Sequence, residues 1–136
     1  EILKKAGRAG TIPQLQDYLA QMTTIGHVIK DCTGLPCNFI AIGHIEFEKD
    51  ETTGRILAGP MLTGKLSLKL PMLFDEVYVS QAKETSKGTE YTYLTQSSGM
   101  FTARSRIAAN GKIDKFEEQN LREILKKGGF NYADKV

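Results

Sequence analysis

Gly59-Pro60-Met61-Leu62-Thr63-Gly64-Lys65-Leu66 carries the G-x4-G-K spelling of a phosphate-binding loop, with Leu66 where a Ser or Thr would reach magnesium. Such a loop needs a strand before it and an unbroken helix after it, because the helix's first amides hold the phosphate. Pro60 and Pro71 bracket the segment and break that helix, so it reads as a Gly/Pro surface loop with an exposed lysine. Met72-Leu73-Phe74-Asp75-Glu76 imitates the acid-ended strand that holds magnesium in the same chemistry. It follows Lys65 too closely, with no room for the helix and further strand that separate a working pair. Asp75-Glu76 therefore reads as the start of a half-exposed strand.

His44-Ile45-Glu46 has the H-x-E spelling of zinc deaminases, whose P-C-x-x-C must follow it; here Pro36-Cys37 precedes it and has no partner cysteine. Cys32 and Cys37 lack a second pair, and neither His27 nor His44 lies at finger-like spacing, so no metal site is expected and both read as reduced thiols. His44 and Glu46 remain as candidate catalytic residues on a different ground. They follow a buried strand, and open α/β sheets bind ligands beyond the carboxyl ends of their strands. The other reading of His44 is a hydrogen-bonded loop residue. Arg104-Ser105-Arg106 alternates along an expected strand, which points both guanidinium groups to one face. Two same-facing arginines suit a phosphate clamp, or else they are solvated strand charges.

The elements that would hold these residues follow from the apolar pattern. Glu1 to Arg8 reads as a short charged helix. Thr11 then suits an N-cap and Pro13 a first turn, opening an amphipathic helix through Leu15, Tyr18, Leu19, Met22, Ile25, Ile29 and Cys32, stopped at Gly34. Phe39-Ile40-Ala41-Ile42 is a continuous apolar run, expected as a strand buried on both faces of a parallel sheet. His44 to Gly54 holds Glu46, Glu48, Asp50 and Glu51 against Lys49, with a turn at Asp50–Gly54 and a return strand from Arg55 to Leu62. A short helix broken at Pro71 comes next, then strands over Asp75–Gln81, Tyr91–Thr95 and Phe101–Ile107, with a polar turn at Lys83–Thr89. The last element is an amphipathic helix over Asp114–Lys127, stopped by Gly128-Gly129.

The 136 residues suit one ordinary domain, and 40% hydrophobic with 25% charged residues is a globular composition. Eighteen basic against sixteen acidic side chains leave +2, so bulk charge alone implies no nucleic-acid partner. No apolar run approaches the ~18 residues of a membrane span. Glu1 rather than Met opens the chain, with the expectation that a segment lies upstream.

Several of these pieces also occur together in a known order. They are Ile12-Pro13-Gln14-Leu15-Gln16-Asp17-Tyr18, Gly43-His44-Ile45-Glu46, Lys49-Asp50-Glu51-Thr52-Thr53-Gly54, Pro60-Met61-Leu62-Thr63-Gly64-Lys65-Leu66, Phe74-Asp75-Glu76-Val77-Tyr78 and Thr102-Ala103-Arg104-Ser105-Arg106. Over residues 11–107 the series resembles the C-terminal half of phage-encoded RecA-like P-loop ATPases, those found with single-strand annealing recombination systems. The resemblance implies an α/β fold, a partial RecA-like P-loop NTPase domain. Its mixed sheet would hold a buried parallel strand and an antiparallel C-terminal set, flanked by helices. The chain would then be the C-terminal part of a longer ATPase domain acting in DNA recombination or single-strand DNA handling.

The same resemblance assigns roles. Both Walker motifs would lie upstream of Glu1, so ATP and magnesium would bind the full-length protein and neither would be held tightly by this chain. His44 would match the sensor of the γ-phosphate. Arg104 and Arg106 would match the basic pair that reaches a neighbour's nucleotide in a homo-oligomeric ring or filament. Loops around His44–Gly64 would lie where such proteins contact single-stranded DNA, with Lys65 a weaker candidate for DNA or phosphate contact. The expected location is the cytoplasm of the host cell. The alternative is a non-catalytic binding or assembly module that retains the fold without a phosphate loop.

Overall fold

A computed structural model describes residues 2–7 and 9–130. They divide into two compact units, Glu1–Glu46 with Pro60–Phe74 and Phe47–Gly59 with Asp75–Val136.

The first unit is helical. It contains α1 (Ile2–Lys5), α2 (Leu15–Thr33) and α3 (Leu66–Lys69), the last continued by a 3-10 turn over Leu70–Leu73. The apolar spacing of threes and fours produces α2 as expected, but its start lies later than Thr11. Gln14 is the N-cap, and its backbone N–H donates to Asp17 Oδ2 at 2.7 Å. A carboxylate in the first turn meets an orphan N–H and the positive end of the helix dipole together. Thr11 has no acidic residue so placed. Gly34 closes the helix, its N–H donating to the carbonyls of Lys30 and Asp31 at 3.2 Å each. Pro71 breaks the next helix as anticipated, after the four residues of α3. Phe39 stacks on Phe74 with ring centroids 5.9 Å apart.

β1 (Ile45–Lys49) and β2 (Ile56–Pro60) form the expected hairpin. Its turn is held by Asp50, whose carboxylate accepts from Thr52 N at 2.9 Å and Thr53 Oγ1 at 2.7 Å. The Thr53 hydroxyl, first, and the Thr52 amide hold the Asp50 carboxyl below its usual range.

Between Asp75 and Phe130 most of the regular structure is strand. The strands are β3 (Glu76–Val77), β4 (Val79–Thr85), β5 (Gly88–Leu94), β6 (Arg104–Ser105) and β7 (Phe116–Glu118), and α4 (Leu121–Lys127) follows. β3 pairs with β6, and β4-β5-β7 form a second sheet, both antiparallel. Val79, Leu94 and Ala103 are buried together with Phe101 against them. Ala58, Ile113 and Ile124 are buried as well. Thr95 is fully enclosed and donates its hydroxyl to the Asp114 carbonyl at 2.7 Å, so its burial leaves no unsatisfied donor.

This architecture overturns the RecA-like fold. Among the described residues every sheet is small and antiparallel, with no parallel strand pair; one isolated parallel bridge joins Ala58 to Phe101. Phe39–Ile42 forms no strand, and Ile42 is 95% exposed. A strand buried on both faces needs a neighbour at each edge and a layer above and below. Here α2 packs instead against the 3-10 turn at Leu70–Leu73.

Smaller corrections have local causes. The strand expected to end at Gln81 runs on to Thr85, because Lys83 lies opposite Glu90 and Glu84 opposite Thr89. Only Ser86-Lys87 form the turn. The strand over Phe101–Ile107 shrinks to Arg104–Ser105. The helix over Asp114–Lys127 begins only at Leu121, because Phe116–Glu118 pairs with β5 and Asn120 caps the helix, its side chain accepting from Glu123 N.

Candidate functional site

The residues singled out from sequence fall in both units. In the first, His44 precedes β1 rather than following a buried strand, and its side chain is exposed. Its carbonyl accepts from Met61 N at 2.8 Å, a backbone bond that extends the hairpin. Glu46 is exposed on β1. Lys65 is exposed at the position before α3. The loop through Gly64 does run from a strand into a helix, but that helix has only four residues, too short to present a full set of N-terminal amides. Ser67, next after Leu66, is buried and donates to the Gly64 carbonyl at 3.1 Å, so its hydroxyl serves the turn.

In the second unit the two arginines do not share a strand face. Arg104 lies on β6 opposite Val77, whereas Arg106 has left the strand with helical angles, φ −75° and ψ −33°. The alternation that would align them requires extended backbone at both positions. Arg106 reaches Asp75 with Nη1 2.6 Å from Oδ1, both side chains being exposed.

Glu76 organises this corner, a role the sequence reading missed. One carboxylate oxygen accepts from Arg106 N at 2.8 Å and Ile107 N at 3.1 Å. The other accepts from Tyr78 Oη at 2.7 Å. Glu76 thereby caps the 3-10 turn Ile107–Asn110, taking its first amides. Tyr78 also stacks on Tyr93, centroids 5.8 Å apart. Burial, first, and the Glu76 carboxylate push the Tyr78 hydroxyl well above the usual tyrosine range. The signal in the sequence was an acid followed two residues later by an aromatic hydroxyl on one strand face.

Glu117 makes a second such node. It is buried, accepting from Asp114 N at 2.8 Å and Lys127 Nζ at 2.6 Å. That carboxylate raises the Lys127 ammonium above its ordinary value. Both nodes use their carboxylates to satisfy backbone amides and to tie distant segments together. Among the described residues, no three His, Cys, Asp or Glu side chains gather as a metal-ligating group.

Compared with family models, curated proteins and solved structures, the chain matches none.

Proposed function

We propose that this chain is a non-catalytic binding and assembly module that acts by docking on another protein. The observation that carries the reading is the state of α2. Leu15, Tyr18, Leu19, Met22, Ile25, Ile29 and Cys32 make one apolar stripe, with Val28 at its margin, and none of them is buried; Leu15 is 87% exposed. The second unit, by contrast, encloses Leu94 and Ile124 almost completely. Met22, Ile25, Ile29 and Cys32 are half-buried, whereas Leu15, Tyr18, Leu19 and Val28 are exposed. A helix gains most of its stability from packing its apolar face, so the part left open is suited to a partner.

The charges on α2 favour a protein as that partner. Its charged side chains are Asp17, Lys30 and Asp31, which offer no cationic face for phosphates or anionic lipid. The hairpin loop around Asp50 is acidic as well, with Glu46, Glu48, Asp50 and Glu51 against Lys49, which opposes single-stranded DNA at the site anticipated for it. Among the described residues no helix is long and apolar enough to cross a membrane. The short helix after Lys65 and the divergence of Arg104 from Arg106 weigh against a nucleotide-hydrolysing reading.

The test uses the purified chain. The apolar-surface dye ANS should bind with a rise in fluorescence, and Leu15→Glu/Leu19→Glu should lower that rise while leaving far-UV circular dichroism and Tm unchanged. With magnesium ATP, turnover should equal that of the protein-free blank. ATP hydrolysis abolished by Lys65→Ala, or unfolding of the Leu15→Glu/Leu19→Glu variant, would overturn the reading.

A further inference from the structure

We propose that the free edge of β4 is a two-fold seam, pairing antiparallel with β4 of a second copy of this chain about Ala82. This goes beyond the docking face on α2, because it lies in the second unit and names its own partner.

The argument starts from which backbone groups point outward. β4 is a terminal strand of its sheet. Thr95 N donates to the Lys115 carbonyl, so Thr95, and by alternation Tyr93 and Tyr91, direct their backbone groups toward β7. The intervening Leu94, Thr92, Glu90 and Gly88 therefore bond to β4, at Val79, Gln81, Lys83 and Thr85. Ser80, Ala82 and Glu84 are left with N–H and C=O aimed away from β5, and no other strand pairs with them among the described residues. An edge of this kind is ordinarily blunted by proline, a bulge, a cover or charged side chains, and of these β4 has only the charges of Lys83 and Glu84. β4 has no proline, and its register with β5 is uninterrupted from Val79 to Thr85.

The side chains favour a register centred on Ala82 over those that oppose like charges. Centred on Ala82, the outward residues meet one another: Ser80 lies opposite Glu84 of the second copy, and Ala82 lies opposite its own equivalent. Each such pair can exchange two N–H···O bonds. Ser80 Oγ accepts from Gln119 Nε2 at 2.6 Å, which leaves its own proton to give to the facing Glu84 carboxylate. Lys83 lies opposite Gln81, so no like charges stand directly opposed. Moving the centre to Lys83 would set lysine against lysine, and parallel pairing would set Glu84 beside Glu84. The resulting isologous contact joins the two three-stranded sheets into one.

Sedimentation equilibrium of the full chain reads the result. The wild type should be a dimer in the micromolar range, and Ala82→Pro a monomer with unchanged circular dichroism, since the lost N–H faces solvent and proline is tolerated on such an edge. Ala82→Lys and Ala82→Glu should each dimerise roughly tenfold more weakly, and an equimolar mixture should restore dimer, because only this register sets residue 82 against itself. Leu15→Glu/Leu19→Glu should leave the dimer intact, which separates the seam from the α2 face. A monomeric wild type, a dimer that survives in folded Ala82→Pro, a dimer lost in Leu15→Glu/Leu19→Glu, or no rescue on mixing would each overturn the seam. Should Ala82→Pro fail to fold, the mixing experiment decides.

Discussion

The carboxylate of Glu76 holds the backbone N–H of Arg106 at 2.8 Å, across thirty residues of sequence. The arginine's side chain, one half of the expected phosphate clamp, is an exposed partner of Asp75, whereas its amide is part of the frame. The two roles separate on mutation. Arg106→Ala should cost no more than ~1 kcal/mol, as exposed ion pairs do. Glu76→Ala should cost about 2–3 kcal/mol, because it frees two amides and a partly buried tyrosine hydroxyl. Glu76→Gln should lie between them. Urea unfolding of the three variants checks the order, and an Arg106→Ala loss larger than that of Glu76→Ala would reverse the assignment.

Alkaline pH should weaken the second unit. Tyr78 and Lys127 both have folded pKa values raised above their unfolded ones, Tyr78 by burial and then Glu76, Lys127 by Glu117. A raised group contributes stability that is fully present below its unfolded pKa, here ~10, and is lost as pH climbs through the folded value. The urea midpoint should therefore hold steady to about pH 9 and then fall. Tyr78→Phe keeps the ring on Tyr93 but removes the titrating hydroxyl, so its decline above pH ~10 should be shallower than the wild type's. A profile as steep in the variant would remove Tyr78 from the account.

Core truncations should distinguish the enclosed residues from the exposed apolar run. Leu94→Ala should cost about 2–5 kcal/mol, since Leu94 is wholly enclosed and its removal leaves a cavity beside Val79 and Ala103. Ile42→Ala should stay within ~0.5 kcal/mol, the range of ordinary surface changes. Denaturant midpoints with unchanged m values are the measurement. Equal losses at the two positions would return Phe39–Ile42 to a core.

That contrast also marks what was legible in the sequence. Periodicity located α2, the turn at Asp50–Gly54 located the β1–β2 hairpin, and Pro71 located the break after α3, because each is decided by residues near one another in the chain. The Phe39–Ile42 run could not be read this way. Whether four apolar residues become an interior strand depends on strands elsewhere that could flank them, and periodicity carries nothing about those neighbours. Lys83-Glu84-Thr85 reads as a polar turn until Glu90 and Thr89 are seen opposite. The site residues divide in the same manner. Arg104 and Arg106 share a face only in a continuous strand, which the 3-10 turn after Arg106 ends. Glu76 reads from sequence only as the start of a strand, because its contacts with Arg106 and Ile107 span at least thirty residues of chain.

Gly128 gives the last expectation. Its φ of −71° is one that alanine adopts without strain, and replacing such a glycine usually stabilises by ~0.4–1 kcal/mol through the unfolded chain. Here packing opposes that gain. A Cβ on residue 128 would lie 2.9 Å from Ile107 Cδ1 and 3.1 Å from Ile107 Cβ. The second contact is to an atom fixed by the backbone, so rotation of the isoleucine cannot relieve it. Gly128→Ala should therefore destabilise by about 1–3 kcal/mol, the range for overpacking. Ile107→Val deletes Cδ1 and leaves Cβ, so it should recover part of the loss and no more. In a double-mutant cycle the two changes should couple by at least ~0.5 kcal/mol in the favourable direction. Additive losses, or a Gly128→Ala protein more stable than the wild type, would show that α4 shifts away from Ile107 at little cost.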